Sequence, residues 1–524
     1  MPKHKNWFWL AALAAACLFD FLCWKKPLGV WFPIWIAALL VIGYLLAWRE
    51  GKKPAAASVV ISLLILGFSF VPAWRTEQMT RFVSVVLTLG GLLLLSATYL
   101  NGHWPFYRLW DYVANLFGAF GGGLSRAILL GSKGSTPPPL DAPQPPKKGK
   151  HAWAVIRGLL IALPVVAVLA LLLSSADPVF GDWLARVLNL ERLPEYLFRL
   201  FYIILIGGFL VGAYLHAILP NKQQERPDTN KPVLKPFLGW TESAVILGLV
   251  DLLFIAFVFI QVRYLFGGEA NISETGYTYS EYARKGFGEL VAVAVISLGL
   301  YLCLSTVAKR ETRGSQVGFS ILSVLLMANV LVILASSLQR LLLYEDAYGF
   351  SQLRTYTHVF IFCLAGLIVV TMLLELFKRR GYFGLALLAT IIAFGVALPV
   401  MNVNGFIAAK NIARAEAGED LDVPHLVSLS SDVVPVMVEK FNDPATPADL
   451  KEDLGYALAC RMKMTDDPAQ QPWQGFKLSE DRAWTLLQQN KSVLSQYKVM
   501  DGGGWHYAKD GETISCVSYM DMMD

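Results

Sequence analysis

Charge is what this 524-residue sequence has least of, with Asp, Glu, Lys and Arg together at 16% against about 25% in soluble domains. That shortage excludes an ordinary cytosolic enzyme. Disorder is excluded too, because disordered chains are rich in charge and poor in apolar residues. Six cysteines in the whole chain are too few for a small disulfide scaffold. Phosphate-binding loops, dinucleotide fingerprints, histidine-glutamate zinc motifs and nucleophile elbows are missing, so no cofactor is expected. Gly121-Gly122-Gly123 is a bare glycine run without the Lys-Ser or Lys-Thr pair of a phosphate cradle. His425 and His506 have no metal-ligand spacing with Cys460 or Cys516, and no metal is expected either.

What the sequence does have is apolar length. The hydrophobic share is 55% and the mean hydropathy +0.49, and apolar runs of about eighteen or more residues dominate the first four hundred positions. The expected fold is all-α, a polytopic transmembrane helix bundle. Eleven spans are predicted, at residues 7–24, 28–48, 54–74, 82–100, 153–175, 197–220, 240–266, 287–308, 317–344, 356–377 and 382–401. Most carry Trp, Tyr or Phe at their ends, as an interfacial aromatic belt requires. Residues 1–100 form a first four-span segment and 101–152 a cytoplasmic stretch. The latter comprises an interfacial helix over 103–130, interrupted at Gly121 to Gly123, and a Pro-rich linker. Residues 153–401 form a seven-span core and 402–524 a tail domain.

The net charge of +5 conceals two unlike parts. Residues 1–401 hold 34 basic against 21 acidic side chains, a balance of +13, whereas residues 402–524 hold 11 against 19, a balance of −8. Basic residues crowd cytoplasmic loops, so membrane orientation explains the positive part without nucleic acid. Alternate connections divide the 34 into 22 and 12. The richer side is assigned to the cytoplasm together with the amino terminus, which puts the acidic tail outside. The expected location is a multi-pass position in the cell membrane.

Three segments carry a resemblance. They are Asp20-Phe21-Leu22-Cys23-Trp24-Lys25-Lys26-Pro27-Leu28-Gly29-Val30, then Tyr264-Leu265-Phe266-Gly267-Gly268 with Thr278-Tyr279-Ser280-Glu281-Tyr282-Ala283-Arg284, and then Arg340 to Tyr344 continuing through Ala347-Tyr348-Gly349-Phe350 to Leu353-Arg354. Together they resemble a bacterial membrane-protein family known mainly as a domain of unknown function. The resemblance implies the fold but no reaction, cofactor or catalytic residue.

The second and third segments fall on the predicted outer side. Tyr264, Tyr277, Tyr279, Tyr282, Tyr344 and Tyr348, with Arg263, Arg284, Arg340 and Arg354, suit a rim that binds an anionic or sugar-like solute. The same residues also suit a plain interfacial belt. Thr278 and Glu281 have capping-box spacing, and Glu281 pairs with Lys285 at i,i+4. Asp251 is the sharper feature, eleven residues into the seventh span and so near mid-bilayer, where an unpaired carboxylate costs at least about 2.5 kcal/mol. On the ninth span Asn329, Ser336 and Arg340 share one stripe at 100° per residue, leading outward from the same depth. Asp20, Glu289 and His358 are further candidates towards the outer end. Glu242, His216 and Glu375 sit near the inner boundary, where a structural role is expected.

In the tail, helix starts at Thr446-Pro447 and Ser479-Glu480 predict a small α-helical domain. Cys460 and Cys516 are candidates for a disulfide if the compartment is oxidising. Three functions remain open. One is small-solute transport or sensing through an outer polar pocket. Another is a membrane enzyme on a lipid-linked envelope substrate, with Glu281, Glu289 or Asp251 as acid or base. The third is a scaffold or signalling partner. The expected partners are the bilayer, a small solute or envelope lipid, and an envelope protein bound through the tail.

Overall fold

The computed structural model describes residues 2, 4–131, 162, 166, 169–170, 172–180, 193–219, 236–265, 286–501, 504–509 and 511–517. Among them, ten helices are long and apolar enough to cross a bilayer, and the chain is a multi-pass membrane protein. Four come first: α1 (Lys5–Cys23), α2 (Trp31–Arg49), α3 (Ala56–Trp74) and α4 (Gln78–Thr98). Helix α5 (Leu109–Gly131) is not among the ten. The other six are α6 (Leu193–Ile218), α7 (Trp240–Leu265), α8 (Phe287–Val307), α9 (Arg313–Tyr348), α10 (Gln352–Leu376) and α11 (Phe383–Met401). Most of the span expected over 153–175 lies outside the described residues.

The contacts divide the chain into two units. The first comprises Met1–Phe21 and Gly121–His216. In it Arg199 holds Asp20 through Nε at 2.8 Å and Nη2 at 2.5 Å, and the Tyr202 hydroxyl donates to the same carboxylate. The glycine run does not break α5, contrary to expectation. It is a packing surface instead: a Cβ at Gly212 of α6 would strike the Gly123 backbone, and Gly122 and Gly123 lie against His216 and Phe209. Bare backbone lets the two helices approach closely.

The second unit comprises Leu22–Phe120 and Ala217–Asp524. Helix α3 packs on α2 and α4, α11 on α4 and α10, and α9 on α7, α8 and α10. The 36 residues of α9 extend about 54 Å, well beyond the ~30 Å hydrocarbon core. A reciprocal Thr312–Ser315 capping box starts this helix, and Gly349, at φ 77°, ends it. Leu326, Val330, Leu334 and Leu341 of α9 pack with Leu247, Tyr301, Ile361 and Ile368 in the membrane core.

After α11 the tail runs through α12 (Val403–Glu416), α13 (Val423–Ser428), α14 (Val434–Asn442), α15 (Ala448–Met464) and α16 (Leu478–Gln489). Its core contains Ile407, Leu426, Met437, Phe441, Leu454, Leu458 and Leu487. The helical tail is as expected, but a three-stranded antiparallel sheet follows it: β1 (Val499–Asp501), β2 (Trp505–Lys509) and β3 (Glu512–Ser515). Tyr507 pairs with both Val499 and Ile514. A Cys460–Cys516 disulfide joins this region to α15.

The tail is bound to the membrane helices by buried polar groups. The Asp432 carboxylate accepts from the Thr76 N–H at 2.9 Å, the Glu77 N–H at 3.1 Å and the Ser479 hydroxyl at 2.6 Å. Arg75 donates from Nε to the Pro399 carbonyl at 3.0 Å and from Nη1 to Asp432 at 3.5 Å. Glu77 caps α4 by accepting from the N–H groups of Met79 and Thr80, and it also accepts from the Tyr356 hydroxyl on α10. The Val30 N–H donates to the Phe476 carbonyl at 3.0 Å. Burial lowers the Arg461 pKa, with Asp432 and Glu480 opposing the shift. The α1–α2 turn, the α3–α4 turn, the start of α10 and the end of α11 therefore all meet the tail on one side.

Candidate functional site

Helix α7 is apolar around most of its surface, and burial singles out one face. Leu252, Leu253, Phe259 and Ile260 are exposed, whereas Ser243, Leu247, Asp251 and Gln261 are buried. The buried stripe packs against α9, where Asn329, Ser336 and Arg340 are also buried. All four residues singled out along these two spans thus lie in one interface.

They form two stations. At the first Asp251 is 2% exposed and Asn329 8%. Asn329 lies beside the Asp251 carboxyl group without meeting it in hydrogen-bond geometry. Among the described residues, neither Asp251 oxygen nor the Asn329 amide nitrogen has a hydrogen-bond partner. Gln261 lies ten residues further along α7, about 15 Å at 1.5 Å per residue. Its Oε1 accepts from the Ser336 hydroxyl at 2.8 Å and from Arg340 Nη2 at 3.1 Å. Between the stations α9 turns Val330, Ile333 and Leu334 inward.

The seam ends where α8 begins. Ser337 donates to the Phe287 carbonyl at 2.8 Å. Gly286 stands just before this helix at φ 98°, and a Cβ there would come within 2.6 Å of Arg340 Nη1. Glycine therefore meets two requirements at this position, left-handed backbone and room for a guanidinium.

Aromatic and basic side chains gather at the C-terminal end of α9. Arg354 lies 3.9 Å from the centre of the Tyr344 ring, and Tyr348 meets Tyr344 edge-on at 5.1 Å. The Arg354 guanidinium also donates to the Tyr348 and Gly349 carbonyls. It thus closes the C-terminal end of α9, where a cation is favoured. Glu289 is exposed on α8. His358 places Nδ1 at 3.3 Å from Oε1 of Glu345, which is 1% exposed. Asp20 is held in the first unit by Arg199 and Tyr202. Tyr277, Tyr279, Glu281, Tyr282, Arg284 and Lys285 lie outside the described residues, as do the side chains of Arg263 and Tyr264.

Residues 55–440 match the family model described as Domain of unknown function (DUF4153). The chain belongs to the DUF4153 family. No curated protein and no solved structure matches it. The matched region contains the whole α7–α9 seam and Asp432, whereas the strands and both cysteines of the disulfide lie beyond it.

Another buried carboxylate of this DUF4153 protein has a different character. Glu375, 0% exposed, accepts from the Tyr301 hydroxyl at 2.7 Å, the Ser320 hydroxyl at 2.7 Å and both Nε and Nη2 of Arg380. Arg310 stands 3.9 Å away and lies over the Phe319 ring. A carboxylate so fully partnered joins α8, α9, α10 and the turn before α11, and it has no free valence for a ligand. Asp251 has the opposite environment. Sequence reasoning passes over Gln261, Glu345 and Glu77; Gln261 lies about 80° around α7 from Asp251 at 100° per residue, so helical phase alone does not join the two.

Proposed function

We propose that this DUF4153 protein binds a proton or small cation at Asp251, in the service of small-solute transport or sensing. The observation that carries the proposal is a carboxylate buried in a membrane-spanning helix, facing Asn329, with no hydrogen bond to either oxygen among the described residues. Such a group is costly unless it is neutralised, hydrated or bound to a cation, and ionisable residues retained at this depth characteristically mark ion and solute pathways. The Gln261, Ser336 and Arg340 station lies outward of it, and a solute entering there exchanges its own polar groups for the bonds that join these three.

We further propose that the amino terminus is cytoplasmic and the tail extracytoplasmic in the cell membrane. The 22-to-12 division of basic residues supports this orientation, as does the Cys460–Cys516 disulfide, since such bonds persist in oxidising compartments. In this arrangement the acidic tail faces the envelope and is available to an envelope protein. The scaffold reading draws on one observation, the apolar Val330, Ile333 and Leu334 between the stations.

Native mass spectrometry of the purified protein, with Asp251→Asn and Arg340→Ala beside it, tests the proposal. A solute or cation retained by the parent and lost in both variants supports a shared site. If nothing is selectively lost while both variants assemble, the scaffold reading takes its place.

A further inference from the structure

A cavity of about 270 Å³ lies between α3, α4, α11 and the first half of α5. It exceeds the ~150 Å³ apolar cavity that stays dry and takes up benzene. Ile65, Phe68, Leu87, Leu94, Leu387 and Ile391 supply much of its wall. The two aromatic residues with polar atoms, Trp104 and Tyr112, use them elsewhere: Trp104 Nε1 donates to the Ala57 carbonyl at 3.1 Å, and the Tyr112 hydroxyl to the Trp104 carbonyl at 2.6 Å. The space is only partly enclosed, and its apolar wall offers water almost no hydrogen-bond partner.

We infer that the cavity holds one acyl chain of a phospholipid. Three of the enclosing helices are membrane-spanning, so bilayer hydrocarbon is the apolar material at hand. The charges at one end favour a phosphate-bearing lipid. Lys52 and Lys53 are exposed in the α2–α3 turn, and Lys378 and Arg379 in the α10–α11 turn. Both turns adjoin the Trp104 to Leu109 end of the cavity, through the Ala55 N–H to Tyr99 carbonyl bond and the packing of Gly384 on Tyr107 and Arg108. A chain inside the cavity places its headgroup among these cations, which attract anionic phosphate.

Gly90 provides the test. It lines the cavity, its backbone is not left-handed, and a Cβ there meets nothing within 4 Å. A Cβ at Gly90 thus enters open space, and Gly90→Leu carries an isobutyl group into the cavity. Full-length protein purified from membranes retains one phospholipid under native mass spectrometry. Gly90→Leu lowers that retention about tenfold or more, equivalent to at least ~1.4 kcal/mol, while its thermal unfolding stays level or rises. The double variant Lys52→Glu/Lys53→Glu also weakens retention with the cavity left open. Equal retention by Gly90→Leu, no bound lipid in the parent, or an isoprenyl phosphate in place of the phospholipid overturns the inference. Destabilised Gly90→Leu would overturn the geometric premise that the space is open.

Discussion

Thr76 donates both its backbone N–H and its hydroxyl to one oxygen of Asp432, at 2.9 and 2.8 Å, across 356 positions of sequence. The acidic tail is thereby attached to the turn between α3 and α4, and Ser479 completes the attachment from the tail side. Asp432→Ala leaves two backbone N–H groups and the hydroxyls of Thr76, Ser430 and Ser479 without their acceptor. Loss of one partner from such a buried charged network costs about 3–5 kcal/mol. The expected result is a lowered Tm and a tail open to limited proteolysis in detergent, with a smaller effect for Asp432→Asn, whose amide oxygen still accepts. An unchanged protease pattern in Asp432→Ala would show that the tail is held by other means.

The disulfide makes a second, separable contribution. Cys460 and Cys516 enclose a 56-residue separation, for which chain entropy predicts about 4 kcal/mol. Intact-mass analysis with and without reductant should show one bridged pair, with the other four cysteines alkylated freely after unfolding. Reductant should lower the Tm of the parent and leave that of Cys460→Ser/Cys516→Ser unmoved. Complete alkylation of all six in unreduced, unfolded protein would refute the pairing.

Glu375 and Asp251 are predicted to diverge when substituted. Glu375→Ala strands Arg380 and the Tyr301 and Ser320 hydroxyls, and about 3–5 kcal/mol of stability is lost. Asp251→Asn removes a carboxylate that has no hydrogen bond to lose, so Tm holds or rises while solute or cation binding disappears. Thermal unfolding of the two variants side by side checks this. A larger loss in Asp251→Asn than in Glu375→Ala would make Asp251 a packing residue.

The spans are legible in the sequence because hydrocarbon selects apolar length directly, and the seam because helical phase survives folding: Asn329, Ser336 and Arg340 keep the common face that 100° per residue assigns them. Gln261 escapes because a glutamine close to a span's end reads as interfacial polarity. The roles of Asp432 and Glu77 escape for a deeper reason. Their partners lie hundreds of residues away, and no local period records such contacts. The strands do leave a local signal, the dipeptide Asp510-Gly511, which in sequence favours a hairpin, between Trp505-His506-Tyr507-Ala508-Lys509 and Glu512-Thr513-Ile514-Ser515. The helical pattern before it overshadows that signal. Gly121 to Gly123 mislead because glycine is read as a helix breaker, whereas against α6 Gly122 and Gly123 permit close packing.

Proton or cation exchange at Asp251 is the central claim, and infrared difference spectroscopy of the protein in vesicles measures it directly. The carboxylic C=O band of Asp251 is the one missing from Asp251→Asn. The account predicts that this band responds to a step in external pH or cation concentration and shifts promptly in D2O. A band that is indifferent to both, in protein that remains folded, would contradict it and leave Asp251 sealed within a dry helix interface.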